Sequence, residues 1–206
     1  MLRLKLSFRR FAPVLAATLA ACSAAPTHFY TLLPPAQPTV VAATPAAFAI
    51  EVAPVAVPTE VDQAPWLVRT GPGQVALLDN ERWAAPLADE LRAAFADELA
   101  RRLGARDVSK EPTQGGKPVY RIQLEVRRFE SAPGQYALID ADWSIARRNG
   151  GSALVCHSRV SQTVESGYAA LALGHQRAVA AIAEQITQAV RSAVTGNVAC
   201  PVLGKE

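Results

Sequence analysis

Tyr120-Arg121-Ile122-Gln123-Leu124-Glu125-Val126-Arg127 is the stretch whose pattern decides the fold. Tyr120, Ile122, Leu124 and Val126 fall on one side of an extended chain, and Arg121, Gln123, Glu125 and Arg127 fall on the other. Side chains alternate across a strand, so this pattern predicts one buried face and one wet face. Downstream, Ser131-Ala132-Pro133-Gly134 turns the chain, and Ala137, Ile139, Ala141, Trp143 and Ile145 make a second apolar row. Asn149-Gly150-Gly151 then gives a tight-hairpin signal. A third strand follows with Leu154, Cys156, Val160 and Val164 on one face, which turns Cys156 inward.

On either side of these strands the apolar period changes from two to between three and four. Leu87, Leu91, Phe95, Leu99 and Leu103 recur every four residues, with Glu90, Arg92, Asp97, Arg101 and Arg102 elsewhere around the turn. One apolar stripe of this kind predicts an amphipathic helix, opened at Pro86 and stopped at Gly104. Val179, Ile182, Ile186, Ala189 or Val190, and Ala193 predict a second helix that ends near Thr195-Gly196. The expected class is therefore α+β, an antiparallel sheet with two long amphipathic helices packed on one face as a two-layer sandwich. Its charged strand face is left for solvent or a partner.

Nearer the N-terminus, Phe48 to Val57 alternates as a half-buried strand, with Pro54 and Pro58 favouring an edge. Trp66-Leu67-Val68-Arg69 and Gln74-Val75-Ala76-Leu77-Leu78 flank the turn signal Gly71-Pro72-Gly73 and predict a hairpin. His28 to Leu33 reads as a short strand, and Pro34, Pro35, Pro38 and Pro45 mark an extended connector. The expected organisation is residues 1–21 as a signal peptide, 22–47 as anchor, short strand and connector, and 48–206 as a single domain.

The signal is carried by Arg3, Lys5, Arg9 and Arg10, then the apolar run Phe11 to Ala21, then Leu19-Ala20-Ala21-Cys22. Positive end, apolar run and small residues before a cysteine are the parts of a lipoprotein signal, in which the Cys22 thiol takes a lipid before the preceding peptide is cut. A membrane-spanning helix needs about 20 apolar residues. This run is about half that and contains Pro13. Cys22, carrying diacylglycerol and palmitate-type chains, is thus the expected lipidation site. Ser23 in place of Asp directs the expectation to the outer membrane, facing the periplasm. Removing those four basic residues takes the formal charge from +3 to −1. No Lys/Arg run remains that would neutralise a row of phosphates, so nucleic acid is not an expected partner.

Acylation of Cys22 leaves Cys156 and Cys200, an even remainder in an oxidising compartment. They are either a disulfide, closing a loop of 44 residues, or two buried thiols. Chemistry-bearing constellations are missing from the sequence. Gly115-Gly116-Lys117 lacks the other elements of a phosphate loop, and His28, His157 and His175 lie in separate elements with no metal-like or triad-like spacing. No cofactor, metal or enzymatic activity is expected. Asp140 and Asp142 share one strand face, and with no third ligand in view a solvated face is the expectation over a cation site. Trp66, Trp83 and Trp143 are expected in or beside the core.

Phe29-Tyr30-Thr31-Leu32 close behind a lipobox cysteine, the Val52 to Val57 segment, Trp66-Leu67-Val68-Arg69, and Arg82-Trp83-Ala84-Ala85-Pro86-Leu87 at a helix entry resemble, in order and spacing, the ABC-type transport auxiliary lipoproteins, the PqiC-like group. The segment Asp62-Gln63-Ala64-Pro65 departs from the group's pattern, which has Arg-Pro-Gln there. The resemblance implies a non-enzymatic lipoprotein of an envelope phospholipid-transport system, supporting membrane integrity. It also implies an MCE-type periplasmic partner, an inner-membrane permease and ATPase beyond that, and a homo-oligomeric ring or docking cap. The alternative class is an outer-membrane assembly lipoprotein serving barrels, lipopolysaccharide or secretins.

Overall fold

A computed structural model describes residues 25–35, 45–111, 116–197 and 199–201. In chain order the elements are β1 (His28–Tyr30), β2 (Ala49–Val52), β3 (Pro65–Gly71), β4 (Gln74–Trp83), α1 (Leu87–Leu103), β5 (Val119–Ala132), β6 (Tyr136–Arg147), β7 (Leu154–Thr163) and α2 (Tyr168–Val194). The α+β class holds, with two helices packed against largely antiparallel strands. The strands form two sheets, however, one ordered β2-β5-β6-β7 and the other β1-β4-β3. In each, a short N-terminal strand joins an edge in parallel: Ile50 beside Tyr120, and Phe29 beside Arg82.

The long meander β5-β6-β7 is the framework. Tyr120, Ile122, Leu124 and Val126 are buried and Arg121, Gln123 and Glu125 are exposed, as alternation requires. Between Val126 and Arg128 the register slips. Such a bulge inserts one extra residue and flips the parity beyond it. Phe129 and Ser131 therefore face the core, where unbroken alternation would have put Arg128 and Glu130.

α1 buries Leu87, Leu91, Ala94, Phe95 and Leu99. Gly104 ends it in the left-handed region, φ 61°, with its N–H bonded to the Ala100 carbonyl, a conformation that costs glycine no Cβ clash. α2 begins about ten residues before the Val179-to-Ala193 stripe. It crosses β6 and β7 and packs beside α1. Arg102 ties the helices together, taking Glu98 at 2.7 Å on its own helix and Glu184 at 2.6 Å on the other.

Gly174 sets how closely α2 lies on the sheet. A Cβ there would stand 2.3 Å from Val164 Cγ1 and 2.9 Å from Ala137 Cβ. Alanine gains about 1 kcal/mol of helix propensity over glycine, and overpacking costs about 1–3 kcal/mol or more. Gly174→Ala is therefore expected to lower the melting temperature. The loss should shrink when Val164→Ala removes the nearer methyl, a coupling read by thermal denaturation of the double-mutant cycle.

Candidate functional site

Two places gather polar or reactive side chains, and a third gathers exposed apolar ones. The first is inside the core, where β3, β5 and α2 meet. Trp66 Nε1 donates to Ser131 Oγ at 2.9 Å, and Ser131 Oγ lies 2.8 Å from His175 Nε2. The His175 ring stacks on Phe129, with centroids 4.0 Å apart and planes inclined by 10°, and Trp66 and Trp83 close the box. A serine within bonding distance of an imidazole is the start of a nucleophile–base pair. Among the described residues the third group is absent, since none of them bonds His175 Nδ1. The ring is wholly enclosed, and burial pushes its pKa down to about 3. A neutral, walled-in imidazole whose serine already accepts a Trp N–H orients three layers of the core and meets no substrate. The sequence places Ser131 in a turn and reads His175 as a surface or packing residue and not a ligand; the structure makes it a packing residue. The parity flip at the bulge is what turns Ser131 inward.

The second place is the outer face of β5-β6-β7, where Arg127, Arg128, Glu130, Asp140, Asp142, His157 and Arg159 lie together. Asp142 receives His157 at 2.8 Å and Arg127 at 3.1 Å. The hydrogen bond from His157, aided by Arg127, holds its carboxyl below the usual range. Burial would raise Glu130, but hydrogen bonds from Arg128, Tyr136 and Arg69 outweigh it and hold that carboxyl low as well. Asp140 faces His157 and Arg159 at 3.6 and 3.9 Å. Arg127, His157 and Arg159 surround the two aspartates; Asp142 stands half-open on a charged face, whereas Asp140, expected on that solvated face, is buried. Among the described residues no group of three His, Cys, Asp or Glu is arranged to hold a metal. His28 also hydrogen-bonds at the surface, its Nδ1 3.0 Å from Glu81 Oε1.

The third place is the outer face of the small sheet, where Phe29, Val75 and Leu77 stand exposed. Opposite, at the pole between the start of β2 and the end of α1, a cavity of about 480 Å³ is lined by Phe48, Val108 and Val119 and rimmed by Arg106, Lys117 and Arg148. Its cations are committed: Arg148 lies 3.2 Å from Glu51, Lys117 bonds the Ala46 carbonyl, and Arg106 pairs with Glu111. Cys156 Sγ and Cys200 Sγ meet near the start of β7, their Cα atoms 5.7 Å apart, inside the span a disulfide bridges. Cys22 lies outside the described residues. Trp66, Trp83 and Trp143 are all buried, and Trp143 Nε1 donates to Ser158 Oγ at 2.7 Å.

The family profile of the ABC-type transport auxiliary lipoprotein component matches residues 30–187. The chain belongs to this family. The matched span runs from Tyr30 in β1 to Thr187 in α2, so both sheets and the core box fall within the auxiliary lipoprotein fold. Among solved structures, an uncharacterised protein superposes with a TM-score of 0.61 at 18% identity, covering 81% of this chain and 99% of that one. A Xanthomonas campestris protein does so with a TM-score of 0.56 at 22% identity, covering 82% and 96%. At these identities the two show the fold alone. A putative lipoprotein from Caulobacter crescentus aligns more loosely, with a TM-score of 0.41 at 22% identity over 52% of this chain and 85% of that one. No curated protein matches the chain.

Proposed function

We propose that this auxiliary lipoprotein is the lipid-anchored periplasmic component of an MCE-type intermembrane phospholipid transport system, docking the apparatus at the outer membrane. The observation that carries the reading is the family match across the whole folded core, residues 30–187. The lipobox ending in Cys22 supports it, because tethering confines the search for a partner to two dimensions at high effective concentration. The surfaces favour docking over direct handling of lipid. The core is filled by Trp66, Trp83, Phe95, Phe129 and the aliphatic residues of both helices, and the cations on the rim of the cavity beside Phe48 are already engaged by Glu51, Glu111 and the Ala46 carbonyl. The partners in this reading are an MCE-domain protein and, through it, an inner-membrane permease and ATPase, with several copies of this chain forming a ring.

Mild crosslinking of the envelope, followed by solubilisation and purification through this chain, is expected to recover the MCE-type protein. Recovery of an outer-membrane barrel in its place would overturn the reading in favour of an assembly lipoprotein. A clean absence of any MCE-type protein would count against transport.

A further inference from the structure

We infer that the β3–β4 hairpin is a membrane-contacting element, resting its tip in the leaflet that holds the lipid anchor and so fixing how the domain stands on the bilayer. The inference rests on the proposed acylation of Cys22. Three observations carry it.

The first is direction. β1 runs parallel to β4, with His28 beside Glu81, Phe29 beside Arg82 and Tyr30 beside Trp83. β4 itself starts at the hairpin tip, at Gln74. The chain therefore enters β1 from the side of the tip. The entry is held there, because Glu81 accepts the Tyr30 hydroxyl at 2.6 Å and pairs with His28 at 3.0 Å.

The second is reach. Cys22 is six residues before His28, and Val75 is six residues before Glu81. At roughly 3.3–3.5 Å per residue the six-residue tether can span up to about 20 Å. β4 carries extra residues between Leu78 and Arg82, so Val75 and Arg82 stand opposite Arg69 and Pro65, only four β3 residues apart, or about 13 Å along the sheet. The tether is therefore long enough to reach the level of the hairpin tip.

The third is surface chemistry. Thr70-Gly71-Pro72-Gly73-Gln74-Val75-Ala76-Leu77-Leu78 contains no charged residue. Val75 and Leu77 are 56% and 45% exposed, and Phe29 on the adjoining strand is 65% exposed. Cross-strand pairing puts Leu67 beside Leu77 and Arg69 beside Val75 on the same outer face. Arg69 is turned aside by Glu130 at 3.0 Å. Glu60, Arg69, Arg128 and Glu130 flank Val75 and Leu67, so an apolar tip stands beside a charged shoulder, an arrangement that suits a lipid surface, where an interfacial element buries apolar side chains at the boundary of the acyl chains and keeps its charges at the headgroups.

The test uses the acylated full chain in vesicles of phosphatidylethanolamine and phosphatidylglycerol. One variant carries Val75→Trp. A second carries Val155→Trp, on the outer face of the other sheet, where Val155 is 68% exposed. The three native tryptophans are buried and give a common background. The tryptophan introduced at 75 is expected to shift to the blue and lose emission to brominated acyl chains, and the one at 155 to do neither. Equal aqueous iodide quenching at both positions would overturn the inference. So would protection at 75 from iodide without quenching by brominated lipid, which would mean that a second copy or another protein covers the tip. Flotation separates the anchor from the hairpin. If the parent chain floats with the vesicles and Cys22→Ser does not, the anchor stands whatever the tip does. If the parent chain fails to float, the anchor fails, and the hairpin inference with it.

Discussion

Acidification from pH 6.5 to pH 5 is expected to destabilise the domain through one buried ring. His175 has its pKa pushed from 6.5 down to about 3 by burial. Across this interval the unfolded chain takes up a proton at that position and the folded chain does not. The contribution is complete above about pH 6.5 and is lost as the pH falls toward 3, at up to about 1.4 kcal/mol per pH unit. Urea unfolding at a series of pH values reads the slope. His175→Phe, which keeps a ring stacked on Phe129, should remove that part of the slope, and an unchanged slope would show that His175 is accessible to protons when folded. Ser131→Ala attacks the same box from another side. It strips the partner from Trp66 Nε1 and His175 Nε2, two enclosed polar groups. Each unpaired group costs about 1–3 kcal/mol, so this small exposed-looking serine is expected to be among the costliest alanine substitutions in the chain.

Loss of the Cys156–Cys200 link is the second large effect expected. The pair closes a loop of 44 residues that contains all of α2. In the chain-entropy treatment such a closure stabilises the folded state by about 4 kcal/mol. Mass spectrometry without reductant is expected to find the two residues joined. Cys156→Ser or Cys200→Ser should lower the urea midpoint substantially, each to about the same degree as the double variant. Equal stability of the parent chain with and without reductant would mean that the link does not constrain unfolding.

Much of the architecture is legible in the sequence because it rests on period. The two faces of β5 up to its bulge, the inward row of β6, the whole of α1 with its Pro86 and Gly104 boundaries, and the Gly71-Pro72-Gly73 hairpin follow from spacing and turn chemistry, whereas Leu138 and Asp140 on the other side of β6 are buried as well. Two features hide for physical reasons. The first turns of α2 carry Gly174 and His175 at positions facing the sheet, where a stripe reading looks for aliphatic residues. Both sit there because of the partner surface: Val164 and Ala137 leave no room for a Cβ, and Ser131 supplies a hydroxyl. The division into two sheets hides because alternation tells which way a side chain points and is silent on which strand lies alongside. The family match adds the transport context, which no spacing carries: a face of arginines and aspartates looks the same on a solvated sheet as on a docking surface.

The parallel placement of β1 on β4 also has a mechanical side. A pull on the N-terminal end directed along β1 would load its hydrogen bonds to β4 together in shear, whereas a pull directed across the strand would open them one at a time. Just past β1, Glu90 accepts the Thr31 hydroxyl and the Leu32 N–H, each at 2.8 Å, and the Leu32 side chain is buried. Behind the strand, then, the chain is bolted to α1. Under the proposed anchoring at Cys22, a load on the tether would pass through these contacts to α1 and the core of the molecule.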